Sequence, residues 1–153
     1  STPFVVLLVA IMPVTKFLIG TRIGATAAIV PLTVNAIPLL TRLFENSLLD
    51  TGNGILEAAL AMGATPLQLV TKFILPESLG SVILSLTTGI VGLIGASAMA
   101  GYVGGGGIGA LVLNYGYNRF NFTLMYSLVV VLIIITQCIQ SLGNFFAGKA
   151  RRK

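Results

Sequence analysis

Leu128-Val129-Val130-Val131-Leu132-Ile133-Ile134-Ile135 is an unbroken apolar run inside a longer apolar stretch, residues 122–146. Crossing the hydrocarbon layer of a bilayer takes about 20 mostly apolar helical residues, so this stretch predicts a membrane span. Past Ile135, the residues Gln137, Gln140, Ser141 and Asn144 recur at helical spacing on one side. That predicts a face turned toward other helices or water. Cys138, the one cysteine, lies within the same span and reads as a small packing residue.

The composition extends this reading to the whole chain. Of 153 residues, 56% are apolar and 8% are charged, against about 25% charged in soluble domains. The mean hydropathy is +1.00, and 18 glycines and 6 prolines accompany it, as suits membrane helices, where both residues are commoner than in soluble ones. The fold class expected is all-α, a polytopic transmembrane helical bundle forming a single domain over residues 1–153.

Three further stretches approach spanning length. Residues 3–19 are interrupted by Pro13 and end near Lys16, whose long side chain can reach the interface. Residues 23–43 carry Pro31 and Pro38 seven residues apart, which puts both kinks on nearly one helix face with Asn35 between them. Residues 79–98 carry Gly89, Gly92 and Gly95, a small-residue stripe that lets a second helix approach closely in lipid. Residues 101–121, rich in glycine, are expected to form an outer loop.

All four acidic residues, Glu45, Asp50, Glu57 and Glu77, fall in the segment 45–77, so that segment reads as a polar loop and no acid is left for a membrane interior. Alternating spans place Arg42, Lys72, Lys149, Arg151, Arg152 and Lys153 on one side and Lys16, Arg22 and Arg119 on the other. The more basic side faces the cytoplasm, which assigns both the 45–77 loop and the C-terminus to it.

Within that loop, Asn53 is positioned to cap a short alanine-rich helix, and Gly63 to end it in the left-handed conformation. Thr65-Pro66-Leu67-Gln68 then reads as a capping box with proline at the first helical position. A second short helix is expected to run to about Ile74, where Pro76 breaks it. The pair forms a cytoplasmic helix-turn-helix. On pattern alone an amphipathic hairpin lying among lipid headgroups fits equally well, although Lys72 is the loop's single basic residue and anionic leaflets reward several.

Arithmetic excludes much chemistry. With no histidine and one cysteine, a zinc site, a disulfide framework and a histidine-based triad are ruled out. A single aspartate rules out a paired-aspartate intramembrane protease, and the lysines a serine–lysine dyad could recruit, Lys16 or Lys72, are both near an interface. No catalytic residue, metal site or cofactor is expected. The net charge of +5 comes without a basic run interleaved with stacking aromatics, so no nucleic-acid partner is expected. Gly104, Gly106 and Gly109 match a dinucleotide-binding spacing, but they follow a span rather than a strand and no acid follows Glu77 to hold a ribose. They read as a turn that lets backbones pack closely.

Glu57-Ala58-Ala59, then Gly63, then Leu75-Pro76 resembles the signature of the membrane subunits of ATP-binding-cassette importers. The position that is isoleucine in that family is Phe73 here, still apolar. Ser1-Thr2-Pro3-Phe4, Ala28-Ile29-Val30-Pro31-Leu32-Thr33, Ala61-Met62-Gly63-Ala64-Thr65-Pro66, Ser97-Ala98-Met99-Ala100-Gly101, Gly106-Gly107-Ile108-Gly109 and Tyr115-Gly116-Tyr117 together resemble the methionine-importer permeases, and the likeness runs through essentially the whole chain.

The resemblance implies a permease subunit in the bacterial inner membrane that carries a small amino acid, methionine first among candidates. It implies a coupling surface formed by Glu57, Ala58, Ala59, Met62, Gly63 and Ala64, which docks on a cytoplasmic ATPase. It also implies an extracytoplasmic substrate-binding lipoprotein as partner and a first span missing from this chain. One chain has too few spans to enclose a pathway, so a second copy related by a twofold axis is expected. Asn35, Ser97 and Met99 are the candidate pathway and gate residues, two as hydrogen-bonding groups and one as a flexible apolar plug. The competing reading is a secondary transporter or channel, which would want a charged group at mid-membrane.

Overall fold

The computed structural model describes residues 3–101 and 104–151. Ser1, Thr2, Arg152 and Lys153, on which part of the motif and charge readings rest, lie outside the described residues. The class is all-α, and no strand occurs among the described residues. In chain order, α1 is Phe4–Ile19, α2 is Ala25–Leu49 and α3 is Asn53–Ala61. Then α4 is the continuous Pro66–Ala100, α5 begins at Gly107–Leu111, and α6 is Phe122–Ala150. Three of these, α2, α4 and α6, are long and apolar enough to cross a membrane, while α1 is a shorter apolar helix of 16 residues.

Local chemistry sets the boundaries. Pro13, Pro31 and Pro38 lie inside α1 and α2 without ending them. The helix α2 continues past the expected limit at residue 43 through Glu45 to Leu49, so the polar segment starts as helix. The cap expected at Asn53 falls one residue earlier, on Gly52. Gly63 does adopt the left-handed conformation, with φ +79°, directly after the C-cap Met62. The capping box at the next helix is present: the Gln68 amide donates to Thr65 Oγ1 at 3.4 Å, and the Thr65 amide donates to Gln68 Oε1 at 3.0 Å.

Pro76 does not break the chain's path, contrary to expectation. Residues Leu69–Ile74 form a wide π turn in which the Leu75 amide pairs with the Val70 carbonyl, and an ordinary helix resumes at Leu75–Ala100. Proline destroys a helix because its ring meets the carbonyl four residues back and it has no N–H to donate. A π turn just before it has already shifted the pairing by one residue, so the ring and the missing donor are absorbed. The second helix of the hairpin is therefore the start of α4, not a separate short element.

The expected loop 101–121 is also partly helical. Gly106 and Gly107 take positive φ, after which Gly107–Leu111 and a second π turn, Val112–Tyr117, follow without a gap. The helix forms because it has somewhere to pack. Gly109 lies so close to Ala98, and Gly101 to Ala110, that a Cβ on either glycine would meet backbone.

The chain folds as two compact units. The first comprises Ser1–Pro38 and Ile90–Cys138. Its buried cluster is Phe4, Leu8, Ala28, Ala96 and Ala100, with Met12 and Leu32 packed on it. The second comprises Leu39–Gly89 and Ile139–Lys153. There Gly89 takes the Leu40 side chain and Gly143 takes the Thr87 side chain. Of the expected glycine stripe, Gly89 is a close-contact position, whereas Gly95 faces open space. The small pair Gly143 and Ala147, four residues apart and both buried, is a small-residue contact that the sequence reading did not single out.

Candidate functional site

In the second unit, α3 folds back on the start of α4 to make the hairpin that carries the signature residues. Ala59 is wholly buried in it, at 0% exposure. It therefore does not lie on the outer surface, where the sequence had placed it together with Ala58. An alanine there is needed because α3 rests closely on the π turn. Glu57, Ala58 and Gly63 are exposed, and Ala64 is half-buried.

The outer surface of the hairpin is more apolar than the signature suggests. Met62 is 72% exposed, and Leu60, Leu67 and Val70 are exposed beside it in the sequence. Four large apolar groups left uncovered by the chain on one small hairpin are characteristic of a contact with a protein or with a membrane surface. Three of them were overlooked in the sequence. Leu60 and Leu67 follow no apolar periodicity across the turn, and only the fold-back shows that they are uncovered.

Behind the hairpin, the same unit holds a polar cavity of about 320 Å3 lined by Ser47, Asp50, Thr51, Glu77, Ser78 and Arg151 among others. Ser47 donates to the Leu43 carbonyl at 2.9 Å and reaches both the Ser81 carbonyl and the Ser85 hydroxyl. Arg151 lies across Gly80 and donates to Ser81 Oγ at 3.5 Å. In the sequence these serines are scattered, and nothing in their spacing announces the cluster.

The candidate pathway residues belong to the first unit. Ser97 lines two clefts of about 290 and 380 Å3, the second shared with Leu32, Thr33, Ala36, Ile90 and Leu93. Its hydroxyl donates to the Ile94 carbonyl of its own helix at 2.8 Å, which leaves its lone pairs for another partner. Asn35 is half-buried and Met99 is exposed. Neither is among the residues that line these two clefts. Among the described residues, no group of histidine, cysteine, aspartate or glutamate could hold a metal ion.

A family described as the binding-protein-dependent transport system inner membrane component matches residues 1–152. The chain is 54% identical over 144 residues to the Probable D-methionine transport system permease protein MetI of Vibrio cholerae, a match covering 94% of this chain and 64% of that protein. It is 46% identical over 149 residues to the protein of the same name from Pasteurella multocida, covering 97% and 69%. A solved inward-facing structure of the MetNI methionine ABC transporter superposes with a TM-score of 0.87 at 44% identity, covering 97% of this chain and 68% of that one.

Proposed function

The chain belongs to the family of inner membrane components of binding-protein-dependent transport systems, and on that premise we propose that it forms part of the pathway of an ATP-driven methionine importer. As a multi-pass inner-membrane protein it hydrolyses nothing itself in this reading. A cytoplasmic ATP-binding-cassette subunit supplies the energy, a second copy of the chain completes the pathway, and an extracytoplasmic lipoprotein delivers the amino acid. The named relatives and the transporter structure support the substrate and the ATPase, over the 64–69% of their length that this chain spans.

The observation that carries the reading is the hairpin. Its shape is set by a left-handed glycine and a capping box, both local in sequence, and by the burial of Ala59. Its outer face offers Met62, Leu60 and Leu67 for burial against a partner and the exposed Glu57 for pairing with a cation. A rigid lever with an apolar surface can pass a partner's movement to α4, because the hairpin's second limb is the first part of that helix. Within the first unit, Ser97 on its two clefts is the best-placed pathway residue. Asn35 and Met99 join it in the proposal as helix-borne groups that change their surroundings when the pathway opens. A secondary transporter would call instead for a mid-span charge, and all four acidic residues lie between 45 and 77.

Two substitutions test this. Glu57→Lys reverses an exposed charge, and Gly63→Leu adds bulk at a left-handed position at a cost of about 1–2 kcal/mol. Each variant should insert normally yet fail to co-purify with the ATPase or to drive ATP-dependent methionine uptake in vesicles. Unimpaired uptake in Glu57→Lys would remove the coupling role.

A further inference from the structure

The turn that joins α5 to α6 and the helix ends on either side of it carry an unusual density of aromatic groups in the first unit. Tyr115, Tyr117, Phe120, Phe122 and Tyr126 are all exposed, Phe120 at 75%. Arg119 stacks over the Tyr115 ring with its guanidinium carbon 4.7 Å from the centroid. Phe120 and Phe122 meet edge to face at 6.5 Å between centroids. Among the described residues, Phe120 is also the non-glycine position with positive φ, 54°. For a bulky side chain that conformation is costly. It is held by the Phe120 amide donating to the Tyr117 carbonyl, the Asn121 amide donating to the Gly116 carbonyl, and Asn121 Oδ1 capping the Leu124 amide. In this conformation the Phe120 ring stands exposed.

We propose that this turn is a binding site for an anionic phospholipid headgroup, with Arg119 on the phosphate and the Phe120 and Phe122 rings at the boundary between headgroups and acyl chains. Three observations converge on a lipid rather than a protein. The middle of the 128–135 apolar run is about 14 Å from Phe122 at 1.5 Å of rise per residue, which is close to the half-thickness of the hydrocarbon layer. Phe122 therefore sits at the edge of the hydrocarbon, and the turn sits just beyond it. Tyrosine, with one end apolar and one end wet, suits that layer, and the wholly apolar phenylalanine rings suit its hydrocarbon side.

The charge is also complementary. No acidic residue follows Glu77 in the chain, so nothing downstream neutralises Arg119. Stacking occupies the face of its guanidinium and leaves the in-plane N–H groups to donate to a phosphate. Finally, none of the apolar window of α6 is buried within the chain, so nothing in this chain screens the turn from lipid.

The site rests on α6 being a span, and the experiment separates the two claims. The chain contains no tryptophan, so in the assembled transporter the emission of Phe120→Trp minus that of the parent isolates the one new indole of each copy. It is to be read in vesicles of phosphatidylcholine with and without phosphatidylglycerol, carrying bromines either near the headgroup or near the bilayer centre. The expected result is loss of intensity with the shallow bromines, a further blue shift when phosphatidylglycerol is present, and loss of that further shift on adding Arg119→Gln. Ile133→Trp should instead be quenched by the deep bromines. If it is not, the span reading fails, and the site with it.

If Ile133→Trp behaves as expected but Phe120→Trp is quenched by aqueous acrylamide and not by lipid, the turn stands in water and the proposal is overturned. It is equally overturned if the indole responds to added substrate-binding protein but not to bromine, or if Arg119→Gln changes nothing. Should Phe120→Trp fail to assemble, Tyr117→Trp reads the same layer.

Discussion

Gly143 shows what a single missing side chain does in this protein. Its face lies directly against Thr87, whose own hydroxyl is tied to the Ile83 carbonyl at 2.8 Å and so has little freedom to swing away. Gly143→Val would place two methyl groups into that contact, an overpacking that costs about 1–3 kcal/mol. The expected outcome is a lower midpoint of thermal unfolding in detergent for Gly143→Val, while Gly148→Val, where nothing lies within 4 Å, leaves the midpoint much closer to the parent. Gly63 differs in kind. Its need for glycine is a backbone need at the end of a helix, and such needs are visible in local sequence. The need at Gly143 arises from a residue far away in the chain, so no reading of its neighbours reveals it.

At the scale of elements, the hairpin is where local rules and tertiary context meet. The capping box of Thr65 and Gln68 was legible from four consecutive residues because both partners are neighbours. Thr65→Ala removes one acceptor and frees the Gln68 amide, a loss of about 1 kcal/mol. Amide hydrogen exchange at Gln68 should accordingly quicken by about fivefold, while exchange in the middle of α4 stays unchanged. The course of the chain through Pro76 was not legible. Proline normally signals a stop, and only the π turn over Leu69–Ile74 makes the helix continuous. The same holds for the stretch after Gly107, where the glycines suggested a loop and the close fit of Gly109 on Ala98 supports a helix instead.

For the whole molecule, the testable matter is which side each end faces. On the charge asymmetry of the basic residues we propose that the 45–77 segment and the C-terminus face the cytoplasm. With Cys138 replaced by serine, Glu57→Cys should react with an impermeant maleimide only in inside-out vesicles, and Arg119→Cys only in right-side-out ones. Labelling of position 57 from the outside would invert the assignment and remove the ATPase-docking proposal with it.

Composition and periodicity by themselves determined the all-α class, the apolar stretches, the left-handed stop at Gly63 and the capping box, because each depends on solvent preference or on partners within a few residues. Motif spacing likewise pointed to the importer family whose inner membrane component matches residues 1–152. Tertiary structure alone decided that Ala59 faces inward, that Pro76 lies within a continuous helix, that Ser47, Ser81, Ser85 and Arg151 form one polar cluster, and that Ser97 lines two clefts. The reason is common to all four. In so apolar a chain nearly every helix face is greasy, so hydrophobicity no longer distinguishes inside from outside. The choice then falls to shape: which small side chain lets which backbone come close.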